Sequence, residues 1–187
     1  MPRVLKRLES VVPRRASGYG GKARSLAALA RAGFPVRWYR AAAGQGNARA
    51  RLNLGLIYKA ARDYPESVRW FRVAAKQGYP KAQFNLALMY AGGLGVSRDP
   101  LEALKWYRTA AEEGFVAAQM RLGEMYLAGD GAPRDPAEAA NWLTLAEEQG
   151  ASAAQSSLGK MYKDGVAGVD GLDGVVSLAL SPDGANL

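Results

Sequence analysis

Few side-chain groupings in this sequence could do chemistry. Glu112/Glu113 and Glu147/Glu148 are adjacent carboxylates, a type that serves acid–base work or holds a cation. Their adjacency points the two groups in different directions, and they close segments of helical pattern, so a solvated face is expected. Arg37-Trp38-Tyr39-Arg40 and Arg69-Trp70-Phe71-Arg72 interleave aromatic and basic residues, the composition on which single strands stack. Met89, Met125 and Met161 recur every 36 residues, and methionine surfaces can bind promiscuously. Gln83, Gln119 and Gln155 form a second ladder, with Arg51 in the corresponding place upstream. Glycine pairs Gly93/Gly95 and Gly129/Gly131 lack the following G-K-[ST] of a phosphate loop. The chain has neither cysteine nor histidine, which excludes disulfides, thiolate sites, histidine triads and two-histidine metal centres. The sequence thus points to no catalytic residue, no cofactor and no metal, and to a protein that is not an enzyme.

The elements that carry these residues follow from a period. Trp38, Trp70, Trp106 and Trp142 each stand eight residues before a glycine, namely Gly46, Gly78, Gly114 and Gly150. A period of 32 to 36 residues between those glycines marks stacked supersecondary units. Each unit begins with a stripe at steps of four: Ala50/Leu54/Tyr58, Ala82/Leu86/Tyr90, Ala118/Leu122/Tyr126 and Ala154/Leu158/Tyr162. Residues four apart share a helix face, so each stripe predicts a buried helix A. A small residue follows the leucine (Gly55, Ala87, Gly123, Gly159), which predicts close approach of a neighbouring helix. Helix B opens on an aspartate with a glutamate three later: Asp63/Glu66, Asp99/Glu102 and Asp135/Glu138. That pattern is an N-cap with a capping-box partner, and Pro100 and Pro136 suit the first helical position. The closing glycine suits a left-handed C′ residue. The register assigns the indoles to packing between helices, the methionines to the core, and the glutamines to hydrogen bonds between adjacent hairpins. The first full unit is four residues shorter than the others, and the deficit falls in its A–B loop.

The pattern A-x-x-x-L-G-x-x-Y, then G-x-G-V-x-x-D, then E-A-x-x-W-Y-x-x-A-A-x-x-G resembles the Sel1-like repeat, a relative of the tetratricopeptide repeat. Ala82, Gln83, Leu86, Met89, Tyr90, Gly93, Gly95, Val96, Asp99, Ala103, Trp106, Tyr107, Ala110, Ala111 and Gly114 carry it, over about residues 38–165. The resemblance implies an all-α fold, an α/α solenoid of helix hairpins working as an adaptor or scaffold, often in bacteria. It carries over no catalytic residue. The expected organisation is a basic leader at 1–21, a half-repeat at 22–46, repeats at 47–78, 79–114 and 115–150, a half-repeat at 151–165 and a tail at 166–187. Residues 22–32 are a candidate helix standing in for a missing helix A. No outer cap is legible after Gly165. Residues 177–184 of the tail resemble the strand and turn of a WD40 blade, so a poorly ordered or short β-like tail is expected.

Charge is uneven. Residues 1–51 hold twelve Lys/Arg against Glu9 alone, +11, whereas the remaining residues hold thirteen against sixteen, −3. Such asymmetry hints at an acidic partner. No run approaches the roughly 18 apolar residues of a membrane span, and a cytoplasmic protein is expected.

In such a solenoid helix A generally lines the concave surface, so its non-consensus positions should write specificity. Asn53, Asn85, Arg121 and Ser157 share one register, and Leu56, Leu88, Glu124 and Lys160 share another three residues on. The expected partner is another protein or peptide bound along these eight. The alternative is nucleic acid or an anionic surface bound through residues 1–51.

Overall fold

The computed structural model describes residues 34–165. Among the described residues the chain forms eight α-helices: α1 (Phe34–Gly44), α2 (Ala48–Ala60), α3 (Tyr64–Ala75), α4 (Pro80–Gly92), α5 (Pro100–Glu112), α6 (Val116–Ala128), α7 (Pro136–Glu148) and α8 (Ser152–Lys163). The even-numbered helices carry the helix A pattern and the odd-numbered ones helix B. Each helix packs chiefly on its sequence neighbours, giving an α/α solenoid with no strand among the described residues. The leader, the candidate helix at 22–32 and the tail with its blade-like segment lie outside them.

The caps form as the sequence dictates, with one difference. Asp63, Asp99 and Asp135 accept from the backbone N–H of Glu66, Glu102 and Glu138 at 3.4, 3.0 and 3.0 Å. The reciprocal half of the capping box does not form. Each aspartate N–H instead donates to the last tyrosine carbonyl of the preceding helix, Tyr58, Tyr90 or Tyr126, at 2.9 to 3.0 Å. That bond closes the hairpin and frees the glutamates for other partners: Arg69, Lys105 and the Trp142 indole N–H. The closing glycines take the left-handed conformation, with φ 76° at both Gly78 and Gly114.

The hairpin interface is a plug in a socket. A Cβ on Gly55 would stand 2.4 Å from ring carbons of Phe71, and one on Gly123 would stand 2.8 Å from Leu143 Cγ. Phe71 and Leu143 are fully buried, and Tyr107 shares a core with Ala87 at the same register. The plug is therefore the residue after Trp70, Trp106 and Trp142, and the indole itself flanks it. Trp70, Trp106 and Trp142 are half-buried, with Trp106 packed against two core clusters. Trp38 departs from the packing its register predicts, at 49% exposed.

Loops join successive hairpins. Gly95 (φ 72°) lies over the Tyr64–Pro65 backbone at the start of α3, where a Cβ would meet the Tyr64 carbonyl carbon at 2.4 Å. Gly131 repeats this over the Pro100 carbonyl oxygen, at 2.5 Å. A side chain there would collide with backbone, which cannot step aside. The shorter first hairpin lacks this loop and turns instead through Arg62, at φ 62°.

Candidate functional site

The candidate strip runs along the side of each even-numbered helix opposite its buried stripe. Asn53 and Leu56 on α2, and Asn85 and Leu88 on α4, are half-buried. Leu56 and Leu88 touch the core with part of their surface and leave the rest open. The Asn85 amide donates to the Lys81 carbonyl at 2.7 Å, whereas no hydrogen bond holds the Asn53 amide among the described residues. On α6 the same two positions pair with each other, Arg121 to Glu124 at 2.7 Å. On α8, Ser157 bonds back to the Ala153 carbonyl and Lys160 is exposed. The strip thus changes from amide and leucine on the first two helices to an ion pair on the third and a serine with a lysine on the fourth.

Tyr107 stands behind the charged part. Burial raises its phenol pKa to about 12, Glu124 adds to the rise and Arg121 opposes it. Its ring meets Phe84 at 5.5 Å between centroids, and Phe84 meets Phe115 edge-on at 5.2 Å, so aromatic packing fixes the floor beneath the strip.

Two ladders bind helix B of one hairpin to helix A of the next. Arg51 Nε, Gln83 Nε2 and Gln119 Nε2 donate to the carbonyls of Ala43, Ala75 and Ala111 at 3.1, 3.4 and 3.2 Å. This is the inter-hairpin role the glutamine register predicts, and it explains how arginine substitutes in the first unit. Gln155 departs from it and is exposed. The second ladder was not read from the sequence. Arg40, Arg72 and Arg108 donate to the hydroxyls of Tyr58, Tyr90 and Tyr126. Its signal was available: the arginine stands two residues after each of the first three tryptophans, always eighteen before the tyrosine, with Thr144 in the fourth place.

The remaining groupings assemble no reaction centre. Glu112, Glu113 and Glu148 are exposed at helix ends, and the methionine ladder is buried. Among the described residues no group of three His, Cys, Asp or Glu is placed to hold a metal. No helix among them is long and apolar enough to cross a membrane.

Stacked helix hairpins with glycine sockets and capped second helices define an α/α solenoid repeat protein. A family model of the Sel1 repeat matches residues 36–47, 48–79, 80–115, 116–150 and 152–176, and the chain belongs to the Sel1 repeat family. Among solved structures it is similar to c5321, a protective antigen of uropathogenic Escherichia coli displaying an SLR fold (TM-score 0.68, 37% identity, 78% of this chain and 34% of that one). It is also similar to a Sel1 repeat protein from Oxalobacter formigenes, with a TM-score of 0.60 and 36% identity over 65% of this chain and 51% of that one. The chain thus spans about a third and about half of these two solved chains. None of the curated proteins matches. Sel1 repeats generally mediate interactions between proteins, and proteins of this fold are typically non-catalytic scaffolds.

Proposed function

We propose that this chain is a non-enzymatic, cytoplasmic scaffold that holds an extended segment of another protein in the solenoid groove, along the strip on α2, α4, α6 and α8. The observation that carries the reading is the pairing of a half-open leucine with an amide on two successive helices, Asn53/Leu56 and Asn85/Leu88. An asparagine amide offers one acceptor and two donors, which match a peptide main chain. The leucines beside it would receive apolar side chains, and the Arg121–Glu124 pair would open to meet charge. Rigid helices hold these groups in place, so little ordering cost falls on this side of the complex.

Crosslinking pull-down with the full chain tests this. An N85A/R121A variant should recover its partner at least threefold less well than the parent while melting at the same temperature. Equal recovery of every partner would remove the strip from the interaction.

A further inference from the structure

The arginine–tyrosine ladder has a property that its structural role does not require. Arg40, Arg72 and Arg108 are exposed, and none forms an ion pair among the described residues. Other surface cations of the same helices do find carboxylates, Arg69 with Glu66 and Lys105 with Glu102. Each ladder arginine is held by a phenol hydroxyl, and those of Arg40 and Arg108 also lie over the tyrosine ring, 6.0 and 5.9 Å from its centroid. A neutral partner fixes a guanidinium without cancelling its charge. A planar fork has several N–H groups, so one bond to a hydroxyl leaves others directed at solvent.

Charge distribution is the second observation. Residues 34–98 contain eleven Lys/Arg against Asp63 and Glu66, +9, while residues 99–165 contain six against eleven, −5. The described solenoid is therefore itself polarised along its length. Arg40 and Arg72 belong to its basic half, and Arg108 lies just past the boundary.

We infer that the three arginines form a docking rail for an acidic polypeptide segment, whose carboxylates are taken up by guanidiniums already oriented by Tyr58, Tyr90 and Tyr126. The oriented fork would bind carboxylate or phosphate through two parallel hydrogen bonds; the carboxylate of a polypeptide is favoured over nucleic-acid phosphate because the holding rings belong to the packed solenoid and are not free to stack on bases. This rests on the scaffold reading and supplies the chemistry of the partner, on residues other than the helix A strip.

The test titrates the full chain into a fluorescein-labelled twenty-residue poly-L-glutamate and follows anisotropy. Binding should be measurable at low salt and weaken as salt rises. The R40Q/R72Q/R108Q variant should bind at least tenfold more weakly, while R62Q/K76Q/K81Q, which removes the same charge from other exposed positions, should lose threefold or less. If the first variant melts early, R72Q alone should still weaken binding about threefold. No binding of poly-L-glutamate overturns the proposal, as does an equal loss in both triple variants. Tighter binding of a single-stranded oligonucleotide of the same charge also overturns it, since the rail would then read phosphate. Partner capture that depends on Asn85 and Arg121 without any affinity for poly-L-glutamate would leave the scaffold reading standing and remove this one.

Discussion

A single amide shows how finely the repeats are tuned. Gln119 Oε1 accepts from Gln149 Nε2 at 2.9 Å, but the equivalent Gln83 Oε1 is buried without a hydrogen-bond partner among the described residues. The reason is one residue: the position of Gln149 is occupied in the preceding unit by Glu113, whose carboxylate offers only acceptor oxygens where the amide offers an N–H. Glu113→Gln should stabilise the protein by about 0.5–1.5 kcal/mol in urea unfolding, the net worth of a completed hydrogen bond. Removing a negative charge from a helix C-terminus also helps, so Glu112→Gln is the control, and only the excess over it measures the bond. Tyr107 gives a second handle. Its pKa, near 10 in an unfolded chain, rises to about 12 on folding, chiefly by burial. A raised folded value means stability present in full below pH 10 and lost as pH climbs from 10 through 12. Thermal melts across that window should show a decline that Tyr107→Phe makes shallower. Parallel declines in both proteins would place the phenol in water.

At the scale of the helix, glycine reports what presses on it. Gly55→Ala should destabilise, because Phe71 is buried on all sides and cannot retreat from a Cβ at 2.4 Å. Overpacking costs ~1–3 kcal/mol, and the helix propensity recovered is at most about 1 kcal/mol. Gly159→Ala should instead stabilise by up to about 1 kcal/mol, since nothing among the described residues lies within 4 Å of its Cβ position. Guanidinium unfolding of the two variants decides it, and shifts of the same sign would refute the socket. The contrast also shows what the sequence disclosed. Period, caps and small-residue register gave the helices and their pairing, because each depends on residues close in the chain. The indole register indicates packing between helices, which Trp70, Trp106 and Trp142 make, but it does not separate the indole from its large successor, the residue that enters the glycine socket. The strip positions were legible as a register, but which of them pair with each other, as Arg121 does with Glu124, depends on rotamers that the pattern leaves open. The arginine ladder was missed for a related reason: the bond joins two hairpins, and its spacing acquires meaning only once helix B of one is known to lie on helix A of the next.

Across the described solenoid, contacts run chiefly from neighbour to neighbour, so stability should behave as a sum along a line. The plug of Gly55 belongs to one core cluster and that of Gly123 to another; Tyr90 and Trp106 pack against both, and α4 carries buried residues of each. Gly55→Ala and Gly123→Ala, combined, should therefore lower unfolding free energy by the sum of their separate effects to within about 0.5 kcal/mol. Hydrogen exchange should localise each effect. Gly123→Ala should open α6, α7 and α8 while the amides of α2 and α3 keep most of their protection, and Gly55→Ala should do the reverse. A solenoid that unfolded all at once would instead lose protection evenly in both variants. The distinction bears on binding, because the amide-and-leucine part of the strip lies on α2 and α4 and its charged residues lie on α6 and α8. If the halves are nearly independent, a partner that grips one half gains nothing from stiffness in the other. Occupancy of α2 and α4 would then raise protection there and leave α8 exchanging as it does in the free chain.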